Sequence, residues 1–451
     1  MRYSCRFATM AIVMGVFWWP AAFCQTRTGD APAPYRLTLQ DAIEMGLRAN
    51  LNALLAGARV DGAQGTRERR LSAALLPRAN AQTYANFQNR DLSAFGISAP
   101  GFPQVVGPFS NYDVRVYAQQ NIIDLQSLHG FKASERTLDA DKLDDQDARD
   151  SIVQAIADLY LSAESAAARA DAAQSRVNDS TALYKLAKDK HDAGTATGVD
   201  VLRAEVQLAN DKQSLLIAQN DYKHALLSLA RNLGMDPGSP LQLAETLEFK
   251  PLAGQQVETL VPAAVAVRAD YLSLAAQRQA LVEQQRANRA RSYPRLSING
   301  NFGGIGRSVG SIQATGLIQG QVDFTIFDHD REGEAQEITA QIRSIDDKIA
   351  DLRRGIAEDV REALLNLDSA ASQVDVASQG QQLARRELGM AQDRFQQGTA
   401  NNVEVVTAQD ELVRAEENYI LAVTSHVNAK IALARALGDT QKNIAEFVDK
   451  P

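Results

Sequence analysis

The stretch GTATGVDVLRAE, beginning at Gly194, returns as GTANNVEVVTAQ at Gly398. Such a repeat constrains the fold strongly, because each copy is one structural unit that cannot bury its apolar face alone. The likeness extends along both halves. LARNLG at 229–234 matches LARALG at 433–438, and ALLPRANAQTYANF at 74–87 resembles RSYPRLSINGNF at 291–302. Ahead of these lie LTLQDAIEMGLRAN and LVPAAVAVRADYLSLAAQRQALVEQQ, both helical in pattern. The order is short helices, strand, loop, strand, long helix, tight turn and helix, run twice. The first unit spans 25–236 and the second 257–440. A linker at 237–256 carries the turn-forming MDPGSP, and a tail follows at 441–451.

The helices repeat at coiled-coil spacing. Val201, Leu208, Leu215, Tyr222 and Leu229 lie seven apart. Val405, Leu412, Tyr419 and Leu433 follow the same line in the second unit, with His426 at the remaining position. Ala335, Ile338, Ile342, Ile345, Ile349, Leu352 and Ile356 alternate three and four apart, and the steps to Val360, Ala363 and Leu367 form a stutter that relaxes the supercoil. Segments 131–190 and 331–395 contain no proline, so each fits one helix of about 90–100 Å, far longer than a globular domain needs. Gly194 and Gly398 can end these helices in the left-handed conformation. Thr197 stands three residues before Asp200, and Asn401 three before Glu404, the spacing of a capping box. The tips of two antiparallel helical hairpins are therefore expected at 191–199 and 395–403.

Alternation predicts strands at 78–90, 112–124, 295–303 and 315–328. Ile318, Val322, Phe324 and Ile326 share one face, with Gln319, Gln321, Asp323 and Thr325 on the other. Leu296, Ile298 and Phe302 likewise oppose Ser297, Asn299 and Asn301. Each run has the length of a tilted strand crossing a membrane. The same alternation also suits a soluble four-stranded sheet. Four strands cannot close a barrel, so a membrane barrel would require several chains to pool theirs.

The remaining features set limits. MRYSCRF followed by ATMAIVMGVFWW and PAAFCQ reads as a secretory signal peptide, 1–24. Cleavage after Cys24 and lipidation of Cys24 are both open. The other cysteine, Cys5, lies within that signal, so the exported chain is expected to have no disulfide and no thiolate metal site. No later segment has eighteen consecutive apolar residues, so a membrane-embedded form would have to be a β-barrel. A net charge of −8 without a basic block points away from nucleic acid. No nucleophile–base motif or metal-ligand spacing is present, which argues against an enzyme and against a cofactor. His191 reads as a solvated tip residue and His426 as a packed one. FDHDRE at 327–332 carries three acids and a histidine but reads as the exit from a strand into a helix. GIGRSVG at 304–310 lacks the following helix of a dinucleotide loop and reads as a surface loop. DLSAFGISAPGFPQVVGPFS at 91–110 reads as an outward-facing loop, and LDADKLDDQDARD as a solvated helix face.

Taken together, LTLQDAIEMGLRAN, the LLPR and SYPR entries to strands, GTATGVDVLRAEVQLA, GTANNVEVVTAQDEL and the paired LAR.LG endings resemble the TolC-like family of outer-membrane efflux proteins. The resemblance covers nearly the whole exported chain, in order and in both halves. It implies a mainly α fold with a membrane β-barrel portion: a homotrimer whose twelve strands form one barrel in outer-membrane lipid, continued by a long α-helical tunnel into the periplasm. It implies a passive exit duct in a tripartite efflux or type I secretion system, with a periplasmic adaptor and an inner-membrane transporter as partners. Asp200 and Glu404 match positions near the periplasmic mouth, where three copies of an acid can ring the aperture; helix capping is the other role open to them. A further acid in some relatives is here Thr407, and a tyrosine and an arginine that tie the mouth shut in others are here Phe395 and Ala400. Gly194, Thr195, Gly398 and Thr399 match the tips that meet the adaptor, beside their plain role as turn residues. A soluble periplasmic coiled-coil adaptor or scaffold is the rival reading, disfavoured by two equivalent hairpins and amphipathic strands.

Overall fold

The computed structural model describes residues 35–97, 100–101, 103–252, 257–438, 440–444 and 446. The expected signal peptide, with Cys24, lies outside the described residues, as do parts of the linker and the tail. A short strand β1 (Tyr35–Leu37) leads into helices α1 (Leu39–Ala49) and α2 (Leu51–Leu75). The Thr38 hydroxyl accepts from the Asp41 amide at 3.1 Å to start α1, and the Asn50 side chain accepts from the Asn52 amide at 2.9 Å to start α2. Strands β2 (Arg78–Asp91) and β3 (Val105–Ile123) follow, then α3 (Leu125–Asp192) and α4 (Gly198–Asn232). After β4 (Leu241–Leu243), which pairs in parallel with β1, the pattern returns. It comprises α5 (Val257–Val267), α6 (Ala269–Ala290), β5 (Arg295–Gly306), β6 (Gln313–Asp323), α7 (Asp330–Gln396) and α8 (Asn402–Leu437), closed by α9 (Thr440–Ile444).

Helices α3 and α7, with 68 and 67 residues, each run about 100 Å. They pack against α4 and α8 respectively as antiparallel hairpins, while α2 and α6 lie along the upper part of α3. The main core forms midway, where Ile152, Ile156 and Tyr160 of α3 meet Ile356, Val360 and Leu367 of α7. This is the stuttered part of α7, and its apolar residues are buried there. Leu229, Leu233, Ile431 and Leu433 complete the core from α4, its C-terminal cap and α8, and the Tyr160 hydroxyl donates to the Leu37 carbonyl at 3.0 Å. Along the seven-residue lines, Leu208, Leu229, Val405, His426 and Leu433 are buried, and the intervening members are half-buried. No single helix among the described residues is long and apolar enough to cross a membrane.

The four longer strands form one antiparallel sheet in the order β2-β3-β5-β6, so the two units join through β3 and β5. Register places Gln82, Tyr84, Asp113, Arg115, Asn299 and Asn301 on one face. The other face carries Ala81, Val114, Val116, Phe302 and Ile318, and the last four are exposed.

Three strand boundaries differ from the alternation. β3 begins at Val105 rather than 112, because backbone pairing continues to Asp91 past a register shift between Gln88 and Arg90. The last six residues of the expected 91–110 loop therefore belong to a strand. β5 continues through Gly304, Ile305 and Gly306, which were read as loop. β6 spans 313–323, so Phe324 and Ile326 are outside it. Its last partner is Arg295, and the preceding residue, Pro294, has no N–H with which to extend the ladder.

Gly303 pairs with Arg115 across the β3–β5 ladder. A Cβ there would stand 2.1 Å from the Val114 carbonyl oxygen and 2.6 Å from the Arg115 Cα. Gly303→Val is expected to break the pairing between the two units and to sharply reduce folded protein recovered from the membrane fraction. His426 is 1 % exposed, lies edge-on to Phe249 at 4.8 Å, and has no hydrogen-bond partner on either ring nitrogen. Burial, with a smaller push from Lys430, lowers its pKa to about 4. A depressed folded-state pKa gives stability that is present above about 6.5 and lost as pH falls toward 4. Relative to His426→Leu, the native chain should therefore lose an additional ~2–3 kcal/mol between pH 7 and 4.5. Thermal scans of the two proteins at both pH values measure this difference.

Candidate functional site

The two hairpin tips are built alike. Gly194 and Gly398 adopt φ values of +76° and +75°. The Gly194 amide donates to the His191 carbonyl at 2.8 Å and the Thr195 amide to the Lys190 carbonyl at 2.8 Å. The second tip repeats this, with Gly398 donating to Phe395 at 3.1 Å and Thr399 to Arg394 at 3.0 Å. Each pair is a Schellman closure, which satisfies carbonyls left open at a helix end. The threonine hydroxyls add a bond to the same carbonyls, at 3.0 Å for Thr195 and 3.2 Å for Thr399. All four of these residues are exposed, as is His191.

The helix starts diverge. Thr197 and Asp200 make a full capping box: the Asp200 amide donates to the Thr197 hydroxyl at 3.3 Å, and the Thr197 amide to the Asp200 carboxylate at 3.1 Å. At the second tip the Asn401 side chain accepts from the Val403 amide at 3.1 Å and the Glu404 amide at 3.4 Å. Glu404 does not return the bond. Its carboxylate pairs with Arg394 at 3.1 Å, so only half of the expected box is present. The two acids are therefore engaged differently, Asp200 by its own helix start and Glu404 by a cation. Thr407 is exposed in an apolar groove between the starts of α4 and α8, beside Leu202, Val206 and Val403. Phe395 is 4 % exposed and packs into a small core with Leu183, Ala204, Leu388 and Val405. Ala400 is half-buried.

Two side chains that sequence reasoning missed link the hairpins. The Lys190 ammonium donates to the Phe395 carbonyl at 2.8 Å and the Gln396 carbonyl at 3.0 Å, and lies 5.1 Å from the Phe395 ring centre. A cation from one hairpin thus closes the negative end of α7 in the other. Asn402, fully buried, donates its side-chain amide to the Asp200 carbonyl at 2.9 Å. The available signal was the repeat: Lys190 and Arg394 both stand four residues before the turn glycine. Arg394 serves its own hairpin, whereas Lys190 crosses to the neighbouring one.

At the other end, the polar face of the sheet holds an ordered cluster. Asp113, 1 % exposed, accepts from the Tyr84 hydroxyl at 2.8 Å and from the Arg115 Nε at 2.7 Å. The Arg115 guanidinium also lies 5.4 Å from the Tyr117 ring centre. Where sheet meets helices, Arg291 gathers Asp328 at 2.7 Å, Glu334 at 2.6 Å and Asp330 at 3.3 Å. The acids of FDHDRE thus contribute to a joint between the end of α6 and the start of α7, and no metal-binding group of three ligands occurs among the described residues.

Known proteins share this arrangement. The chain is 23% identical to the pyoverdine export outer membrane protein OpmQ of Pseudomonas aeruginosa, over 81% of this chain and 78% of that protein. It is 24% identical to the toluene efflux pump outer membrane protein TtgF of Pseudomonas putida, over 82% and 77%. Among solved structures, the outer-membrane channel OprN superposes with a TM-score of 0.74 at 20% identity, covering 89% of this chain and 90% of that one. The CmeC outer membrane channel of Campylobacter jejuni gives 0.74 at 18% identity, covering 90% and 88%. The fold is therefore that of the TolC-like outer-membrane channels. The model of the outer membrane efflux protein family matches residues 44–235 and 260–439, which takes in both hairpins and all four strands of the sheet, and the chain belongs to that family.

Proposed function

We propose that this outer-membrane efflux protein works as a passive exit duct, with three copies pooling their strands into one twelve-stranded barrel and their hairpins into a continuous helical tunnel. The carrying observation is the open four-stranded sheet, apolar on one face and polar on the other, set on helices of about 100 Å. Lipid contacts the Val114, Val116 and Phe302 face. The Asp113–Arg115 face lines water. Cargo passes down the lumen, and an inner-membrane transporter supplies the energy. A periplasmic adaptor docks on the tips around Gly194, Thr195, Gly398 and Thr399, and no cofactor or nucleic acid takes part. Asp200, Glu404, Phe395 and Thr407 lie at the periplasmic aperture, each with the contacts described above. The units are 25–236 and 257–440, joined by the linker at 237–256.

The experiment is reconstitution of detergent-purified protein into planar bilayers, with the subunit number determined by native mass spectrometry. Three chains and a conducting pore support the duct; a folded single chain that passes no ions refutes it.

Three variants test the aperture. Lys190→Met removes the donor that ties one hairpin to the end of the other, and conductance is expected to rise several-fold. Equal conductance would remove Lys190 from the closure. Glu404→Ala, alone or with Asp200→Ala, leaves Arg394 unpaired at the mouth. Reversal potentials in a salt gradient should then shift toward anion preference, because charge lining a narrow pore selects ions of opposite sign. An unmoved reversal potential would place Glu404 away from the constriction.

A further inference from the structure

Above the tip core, the wall between the two hairpins contains a small void lined by polar groups. It lies where α3, α4 and α8 meet, with Leu388 of α7 closing one side. Ser180, roughly 20 Å along α3 from the turn, is 1 % exposed; its hydroxyl hydrogen-bonds the carboxylate of Asp211, which is 8 % exposed. The Gln207 amide donates to the same carboxylate at 3.3 Å. Asp179 also lines the void, and Arg176 lies 3.9 Å from Glu417 across the hairpins.

Two buried atoms in this lining have no partner: the Nε of Arg176 and the Oε1 of Gln409, a residue only 7 % exposed. One is a donor lacking an acceptor, and the other an acceptor lacking a donor. Their residues come from different hairpins and line the same pocket, whose volume is about 20 Å³. A single water needs roughly 10–15 Å³ and two to four polar partners. We propose that one ordered water occupies this void, accepting from the Arg176 Nε and donating to the Gln409 Oε1. Its second proton is left for one of the two carboxylates that also line the pocket, Asp179 or Asp211. The guanidinium already present disfavours a cation there. The site belongs to one hairpin pair only: with Gly194 aligned on Gly398, the positions matching Arg176, Asp179, Ser180 and Asp211 are Gly380, Leu383, Ala384 and Ala415. The water forms a polar tie between the hairpins, independent of the Lys190 contact below it.

The test has a structural and an energetic arm. A structure of the full chain that resolves ordered waters should show density about 2.7–3.2 Å from both atoms. In hydrogen–deuterium exchange, Gln409→Met should raise exchange in segments 198–211 and 402–413 by about tenfold, because the Arg176 donor loses its bridged acceptor. The double variant Arg176→Met with Gln409→Met should exchange more slowly than the product of the two single effects, since neither orphan remains. An empty void, a direct Arg176–Gln409 bond, density at the shorter ~2.3–2.6 Å of a coordinated cation, or strictly multiplicative exchange effects would each overturn the proposal. If Gln409→Met does not reach the membrane, the density in the native chain decides alone.

Discussion

A strand edge in hydrocarbon has no water to satisfy its amides and carbonyls, and that constraint governs this molecule. The sheet ends in β2 and β6, each with one side unpaired. The helices repeat the problem in another form. Leu365, Val376, Leu383 and Met390 of α7 are all more than 60 % exposed, as is Leu202 of α4, although the same helices bury large side chains midway. In the trimer proposed above, a neighbouring copy presenting the complementary edge and stripe would cover both. The duplication multiplies strands and hairpins together, which keeps the width of the sheet matched to the girth of the helices beneath it.

Stability is distributed unevenly along the axis. Midway, large side chains such as Tyr160, Ile156, Ile356 and Leu433 are almost wholly excluded from solvent. Toward the tips, the cluster around Phe395 contains four alanines, so the helices pack closely and bury little per residue. The contacts beyond it are mostly polar. The Arg394–Glu404 pair is about half exposed, and such pairs contribute roughly 0–1 kcal/mol. Segments that open are drawn from the least stable part of a structure, and the hairpin tips bury the least. Near the sheet, Arg291 and its three carboxylates instead tie the end of α6 to the start of α7.

Much of this was legible in the residues, and the failures are instructive. Long helices were readable because apolar spacing persists over dozens of residues without proline. The turn glycines were readable because a left-handed position tolerates little else. Strand ends were less so, since alternation records which face is wet but not where the partner stops; Phe324 continues the pattern after the ladder has ended at Asp323. The contacts at the hairpin tips were the least legible. Glu404 and Asp200 occupy matching positions and carry the same charge, yet one pairs with Arg394 and the other closes its own capping box. Lys190 left no local signature, because its partners are backbone carbonyls, which any residue supplies. The same holds for Tyr84 and Asp113, on different strands, whose hydrogen bond depends on the register of β2 against β3.

The unequal behaviour of Lys190 and Arg394 has a geometric consequence. Were the two hairpins interchangeable, the trimer proposed above would end in six identical seams. One lysine reaching sideways, where its counterpart stays home, makes adjacent seams chemically distinct. In the trimer proposed above, a docking protein shaped for one kind of seam would misfit its neighbour, so the rim would offer alternating berths and its rotational sameness would be halved.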